Sequence, residues 1–421
     1  MKCLPLVSVL LAVVPCSAQE PCARAQFSDA ADRVHRIQEG LKQLKVEEMY
    51  TNVPAEARDL ITQLKDALSC TADAALAGVA PSVDPVELQQ RLAHALNANP
   101  PQPPPDSVVR NDDHRFDEAL GSYGHNLRVQ VTRPATVGGL IEVEFSVNIE
   151  CGEDHMLLIY EFGNGAWRRQ MRWQASPLKE TSDAFGDFFL VAILPAPARG
   201  TSRPLVVVAH GRPWCTSRLS GFEMDVLSPV SDPNSAKVLW HTHRGYSRFE
   251  FMPTLRSSED TFELQLNAST WDPTGFERRV IYRYRIDAHL GVNRIQPIAS
   301  NARGFVEEWL DAPWSEAQGF LARGAAPALQ QVHHLFEPPV KDDAEFVSYS
   351  YGPVRECDAP KTFQVQMNPT LERFGPQNES RPLPTRYFHV RETGQGYVMV
   401  SAPTDPDSTC KGPNLMSANN N

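Results

Sequence analysis

The sequence lacks any apolar run long enough to cross a membrane, since a helical span needs roughly 20 consecutive apolar residues. It also lacks clusters of basic residues. With a net charge of −11, the chain has no basic face of the kind that nucleic acids and anionic membranes require. We therefore expect no transmembrane segment in the mature protein and no nucleic-acid partner.

The common local signatures of catalysis are absent as well. The sequence contains no G-x-S-x-G elbow, Walker A loop, H-E-x-x-H helix, EF-hand loop or G-x-G-x-x-G turn. The nearest approach is Gly245-Tyr-Ser-Arg-Phe249, in which Phe249 replaces the glycine that a sharp turn needs. Catalytic groups can still converge from distant strands, so enzymatic activity stays open, although the pattern favours a non-enzyme.

The first 18 residues have the layout of a secretory leader. Lys2 is followed by a short apolar core, and Cys16-Ser17-Ala18 offers small residues for cleavage after Ala18. Proline precedes both Cys16 and Cys22, which disfavours the alternative of a lipid anchor. We therefore predict an exported protein, either periplasmic or extracellular.

Eight cysteines are present, of which Cys3 and Cys16 leave with the leader. An even number of cysteines in an exported chain predicts disulfides, although six allow 15 pairings. None has C-x-x-C spacing. The simplest hypothesis pairs neighbours within each region: Cys22 with Cys70, Cys151 with Cys215, and Cys357 with Cys410.

Residues 19–98 show helical periodicity. Apolar residues recur every three or four positions in three segments, which predicts a helical hairpin or a three-helix bundle. The third segment begins with Asp84-Pro85, a capping residue followed by a first-turn proline. The proline-rich stretch 99–106 predicts an extended linker.

Residues 107–300 change to a period of two, as in Ile141, Val143, Phe145, Val147 and Ile149. About a dozen such strands, with no long helix between them, predict an antiparallel meander. We expect a mainly β fold with a two-sheet sandwich body; propeller-like blades are the alternative. Residues 301–412 predict a small α+β unit, and 413–421 a disordered tail.

The most suggestive chemical pattern is Trp240-His241-Thr242-His243. On a strand, His241 and His243 share one face, roughly 6–7 Å apart, and two imidazoles so placed can bind zinc. A third ligand would be His210, His125 or Asp225. The alternative is two histidines on a polar strand face without a metal. We expect no cofactor, and zinc is the alternative.

Three tryptophans are candidate ligand contacts: Trp214, Trp309 and Trp314. Trp309 and Trp314 could form a platform for a sugar ring, or they could pack a helix corner onto its sheet. The adjacent acids Glu307 and Glu308 are interpreted as solvated or capping groups, because neighbouring helical residues point apart.

These observations favour a soluble, disulfide-containing binding or scaffolding protein of the bacterial envelope or extracellular space. Its partner would be an unidentified protein or glycan of the envelope. The alternatives are a metal-assisted hydrolase centred on His241 and His243, and a carbohydrate-binding protein.

Overall fold

The structure is a computed structural model. It describes residues 22, 26–45, 52–99, 122–150, 152–174, 178–179, 183–186, 188–195, 203–212, 219–247, 252–269, 277–336, 345–373 and 379–416. Among these described residues the fold is mostly β, with 45% in antiparallel strands and no closed barrel, which confirms the predicted fold class. None of the described helices is both long and apolar enough to span a membrane.

Three helices come first: α1 (Phe27–Lys42), α2 (Ala55–Leu76) and α3 (Pro85–Leu96). The predicted start of α3 is confirmed, since the Asp84 carboxylate accepts a hydrogen bond from the Val86 amide at 2.9 Å and Pro85 occupies the first turn. The apolar stripes of all three helices face one core. In the linker 99–106, only Asn99 lies within the described residues.

Three four-stranded sheets follow, each with its strands in chain order. The first contains β1 (Arg128–Thr132), β2 (Leu140–Ile149), β3 (Gly152–Gly163) and β4 (Ala166–Gln174). The second contains β5 (Phe189–Leu194), β6 (Leu205–Gly211), β7 (Leu219–Pro229) and β8 (Ala236–Ser247). The third contains β9 (Thr254–Ser257), β10 (Thr261–Ser269), β11 (Glu277–Ile286) and β12 (Val292–Arg294).

These sheets stack face to face. One face of the first sheet packs on α1–α3 through residues such as Val143 and Phe145. The other face packs on the second sheet, where Leu157 and Ile159 meet Val206 and Val208. The opposite face of the second sheet packs on the third. The body therefore has the face-to-face packing of a sandwich, but with three blade-like meanders instead of two sheets.

The helices α1–α3 do not have a core of their own. Val34, Leu41 and Leu64 are fully buried in the same cluster as Val129 and Phe145 of the first sheet. The sequence boundary near residue 98 therefore separates helical from strand periodicity, while the hydrophobic core runs across it.

The C-terminal region combines α4 (Ala302–Asp311), α5 (Trp314–Ala317), a 3₁₀ turn (Gln318–Phe320) and α6 (Ala326–Leu335) with a fourth sheet. That sheet contains β13 (Glu345–Glu356), β14 (Thr362–Arg373), β15 (Glu379–Pro382), β16 (Arg386–Thr393) and β17 (Gly396–Ser401). Helices and sheet share one core, as expected for an α+β unit. Of the predicted tail, residues 417–421 lie outside the described residues.

A buried ionic network joins the third sheet to α4. The two carboxylate oxygens of Glu308 each contact one guanidinium, at 2.6 Å to Arg294 and 2.6 Å to Arg278. Glu307 is also buried, and burial raises its pKa to about 7. The prediction that Glu307 and Glu308 are solvated is therefore wrong. The arginines of the third sheet pair with this side of α4, which is buried against the sheet.

Two of the three predicted disulfides are confirmed. Cys22 bonds to Cys70, and Cys357 bonds to Cys410. The third pair, Cys151 with Cys215, lies outside the described residues.

Candidate functional site

A row of polar side chains crosses three strands of the second sheet. Glu223 on β7 pairs with His210 on β6 and with His243 on β8. Directly paired residues in an antiparallel sheet point to the same face, with Cβ atoms about 4.5–5.5 Å apart. One carboxylate therefore stands between two imidazoles, and the Glu223 Oε2 atom lies 3.9 Å from His210 Nε2.

A second pair lies beside this row on the same face. Asp225 pairs with His241 across the β7–β8 ladder, and its Oδ1 atom lies 2.8 Å from His241 Nδ1. The carboxylate is buried, whereas the imidazole is half exposed, at 51%. Burial raises the pKa of Asp225, and the hydrogen bond with His241 opposes that rise.

We call His210, Glu223, Asp225, His241 and His243 the histidine–carboxylate face. It continues the face of the second sheet that packs on the first sheet through Val206 and Val208. The predicted sharing of one face by His241 and His243 follows from their two-residue spacing on β8. His210 and Asp225, both named as possible third ligands, are on this face; His125 is not, because it precedes β1 and bonds through its carbonyl to the Asn148 amide.

His210 has the environment of a neutral imidazole. Burial lowers its pKa to about 4, so the ring is unprotonated at neutral pH. Its Nδ1 atom lies 3.4 Å from the Gly211 carbonyl oxygen, which can only accept a hydrogen bond. A proton on Nδ1 would satisfy this acceptor and would leave the lone pair of Nε2 on the side of Glu223. Metal-binding histidines commonly have this arrangement.

The carboxylate of Glu223 is held by an arginine. Arg212 donates from Nε and Nη2 to Glu223 Oε1, at 2.8 and 2.5 Å. Although burial opposes the change, the hydrogen bond from Arg212 lowers the pKa of Glu223. At neutral pH Glu223 is therefore a carboxylate with one oxygen on Arg212 and the other facing His210.

Gly221 allows the His243 imidazole to approach β7 closely. A Cβ atom at position 221 would be 2.5 Å from His243 Nε2 and 3.3 Å from Arg212 Cδ, so a larger residue would force the imidazole to move. The same distances place the His243 ring beside the Arg212 side chain. Burial lowers the pKa of His243, and the positive charge of Arg212 lowers it further.

Three ligand atoms are already close together in only one group among the residues that the structure describes: His389, Asp407 and Cys410, within 4.8 Å of one another. Cys410 is consumed by its disulfide. Both nitrogens of His389 have other partners, the Ser401 hydroxyl at 2.9 Å and the Gln364 amide oxygen at 3.2 Å. This group is therefore structural, whereas on the histidine–carboxylate face the exposed His241 and His243 would have to turn towards Glu223 and the buried His210.

A further charged cluster, on the facing side of the first sheet, was not anticipated. His155 on β3 contacts Glu144 Oε1 through Nδ1 at 2.9 Å and Glu153 Oε2 through Nε2 at 3.1 Å. Burial opposes protonation, but these two carboxylates raise the pKa of His155 to about 9. Phe185 lies between the clusters, since its ring contacts both His155 and His210. No local spacing in the sequence marks these contacts, because they depend on strand register.

The candidate aromatic contacts are placed differently. Trp309 is fully buried, donates from Nε1 to the Ala317 carbonyl at 3.1 Å and packs on Phe388. Trp314 packs on the same core with partial exposure. For this pair, helix packing is the interpretation that the structure supports, because the Trp309 indole offers no open face to a sugar. Trp214 lies outside the described residues.

Comparison with known proteins gives no family. No protein-family model and no curated protein sequence matches this chain. Among solved structures, it is similar to a GH93 alpha-L-arabinofuranosidase of Fusarium graminearum in complex with arabinobiose, at 9% identity over 63% of this chain, with a TM-score of 0.25. This chain covers 65% of that structure, less than two thirds of its length.

A second similar structure is an Ntf2-like protein involved in plasmid conjugation. It is 9% identical over 54% of this chain and 81% of its own, with a TM-score of 0.16. Likeness at these levels carries no argument about function.

Proposed function

We propose that this chain is an exported, disulfide-stabilised binding protein that holds a divalent transition-metal ion of the zinc type on its histidine–carboxylate face. Export is inferred from the leader pattern of residues 1–18 and from the two disulfides, which persist in oxidising compartments. The absence of a basic face makes a nucleic-acid or anionic-membrane role a poor alternative.

The single observation that carries the metal assignment is the cross-strand register of β6, β7 and β8. In this register Glu223 lies between His210 and His243. His241 lies on β8, two residues before His243. Three imidazoles and one carboxylate form a complete tetrahedral ligand set for zinc, which is bound at about 2.0–2.2 Å by such atoms.

The remaining member of the face, Asp225, has a supporting role. It accepts a hydrogen bond from His241 Nδ1 at 2.8 Å, which leaves Nε2 to face the ion. Carboxylate partners of this kind orient ligating histidines and raise their basicity.

The number of ligands favours binding over hydrolysis. Catalytic zinc sites keep one position open for water, whereas four protein ligands close the coordination sphere. A hydrolase remains the second candidate only if one of the four histidine–carboxylate ligands is replaced by water. The approach of Glu223 Oε2 to within 3.9 Å of His210 Nε2 favours the closed set.

Isothermal titration of chelator-stripped protein with ZnCl₂ tests this function. We expect one zinc ion per chain, and a loss of affinity of at least tenfold in the His241→Ala and His243→Ala variants, since each removes one ligand. His289→Ala is the matched control, because His289 is an exposed histidine in the turn between β11 and β12 of the third sheet. Absence of binding by the wild type, or equal affinity in all variants, would refute the assignment.

A further inference from the structure

The buried acid Glu307 on α4 has no hydrogen-bond partner among the residues that the structure describes. Its exposed fraction is 2%, and both carboxylate oxygens are buried without a hydrogen bond. Arg278 lies beside it, with its Nε atom 3.6 Å from Glu307 Oε1. A buried carboxylate without hydrogen bonds is costly, and binding a proton removes this cost.

Arg278 gives its hydrogen bond to the neighbouring acid. Its Nη1 atom donates to Glu308 Oε2 at 2.6 Å, whereas its Nε atom makes no hydrogen bond within the described part of the chain. Arg294 donates to the other oxygen of Glu308, also at 2.6 Å. Of these two adjacent acids on α4, Glu308 therefore receives hydrogen bonds from both guanidinium groups and Glu307 receives none.

The surroundings of Glu307 include charges of both signs. Burial raises its pKa to about 7, although the charges of Arg278 and Arg303 oppose the rise. The strands β14, β16 and β17 contribute apolar side chains to the core under α4. The charged and titratable groups that face Glu307 lie on α4, β11 and β13: Arg303, Glu308, Asp311, Arg278, Tyr349 and Tyr351.

We propose that Glu307 is a proton-binding switch at the contact of α4 with the third and fourth sheets. At acidic pH Glu307 is a neutral acid, and α4 packs tightly. As the pH rises Glu307 ionises, and a buried charge without hydrogen bonds loosens α4 from the two sheets. The switch does not involve the histidine–carboxylate face, so it does not depend on zinc binding.

The raised pKa fixes the direction of this effect. Because the pKa rises from an ordinary value of 4.5 to about 7, the folded state binds the proton of Glu307 more tightly than the unfolded chain does. The stabilisation is complete below pH 4.5 and is lost as the pH rises through 7.

Glu307→Gln in the chain 19–421 tests the switch, because glutamine has the shape of the protonated acid and cannot ionise. Urea denaturation gives the unfolding equilibrium constant at each pH. Between pH 5 and pH 8.5 this constant should rise roughly 10- to 100-fold more in the wild type than in Glu307→Gln. His155 is present in both chains, so its own pH dependence cancels. Glu356→Gln is the matched control: it removes an exposed carboxylate from β13 and should follow the wild type.

Hydrogen exchange of the wild type measures the same switch without a variant. After correction for the intrinsic effect of pH on amide exchange, the amides of α4 should exchange roughly tenfold faster at pH 8 than at pH 6. The amides of α3, which packs on the first sheet, should change much less. A structural role of Glu307 without proton binding would not give this local response.

Three results would overturn the switch. The first is an unfolding constant whose pH dependence is the same in the wild type and in Glu307→Gln. The second is a Glu356→Gln variant that departs from the wild type as far as Glu307→Gln does. The third is an equal response of α3 and α4 in the hydrogen exchange of the wild type, which decides the question by itself if Glu307→Gln does not fold.

Discussion

His155 is the clearest example of a single residue whose charge depends on its folded surroundings. Glu144 and Glu153 hold both of its ring nitrogens in a buried position, and they raise its pKa to about 9 from an ordinary value of 6.5. Because the folded pKa is raised, the folded state binds the proton more tightly than the unfolded chain does. The stabilisation is complete below pH 6.5 and is lost as the pH rises through 9.

We therefore predict that the wild type loses stability between pH 6.5 and pH 9, by roughly 1–3 kcal/mol from this residue. His155→Gln should be less stable at pH 6 and should lose much of this pH dependence. Urea denaturation at pH 6, 7.5 and 9 measures both effects, with His289→Gln as the control. An unchanged slope in His155→Gln would show that His155 is not the group responsible.

The sequence predicted only some of the residues in the candidate site. The spacing of His241 and His243 was enough to place them on one strand face. Glu223 was not predicted, and His210 and Asp225 were only two of three suggested partners, because the pairing of β6, β7 and β8 depends on register. That register is set by apolar residues such as Val208 and Met224, which must face the two neighbouring sheets.

At the scale of elements, the contact between α4 and the third sheet is ionic. Glu308 is 1% exposed and bridges Arg278 and Arg294, whose side chains are 10% and 2% exposed. The two arginines oppose burial and lower the pKa of Glu308, which keeps it charged. The prediction that Glu308 is a solvated or capping group was wrong, because helical geometry alone does not show which partners a neighbouring sheet will supply.

Glu308→Ala should destabilise the protein by about 3 kcal/mol, because it removes the carboxylate that two buried guanidinium groups share and leaves Arg294 with Glu316 and Arg278 with Glu307. Glu392→Ala is the comparison, since Glu392 forms only a partly exposed pair with Lys361 at 3.8 Å; it should cost less than about 1 kcal/mol. Guanidinium would screen such charges, so urea is the appropriate denaturant. Equal costs for the two variants would contradict the assigned role of the network.

The N-terminal helices cover one face of the first sheet, so the two share a single core. The change from helical to strand periodicity was visible in the sequence, and so was the antiparallel meander. The division of the body into three stacked sheets was not visible, because alternation shows that a strand has a buried face without showing which sheet covers it. Val129, Phe145 and Leu158 are buried under the helices.

If the helices and the linker were a separate module, a chain without residues 19–106 would still fold. The shared core predicts the opposite: this deletion exposes several large apolar side chains, each contributing about 1.5–3 kcal/mol when buried, against a total stability of about 5–15 kcal/mol. We expect the fragment 107–421 to aggregate or to lose cooperative thermal unfolding, with the chain 19–421 as the control. A monomeric fragment with an unchanged melting temperature would show that the helices are dispensable.

The most direct test of the proposed function is a crystal of the chain 19–421 grown with ZnCl₂, with diffraction recorded on both sides of the zinc absorption edge. We predict one strong anomalous peak about 2.0–2.2 Å from a Glu223 carboxylate oxygen and from the imidazoles of His210, His241 and His243. A peak elsewhere, or none on this face at millimolar zinc, would contradict the account.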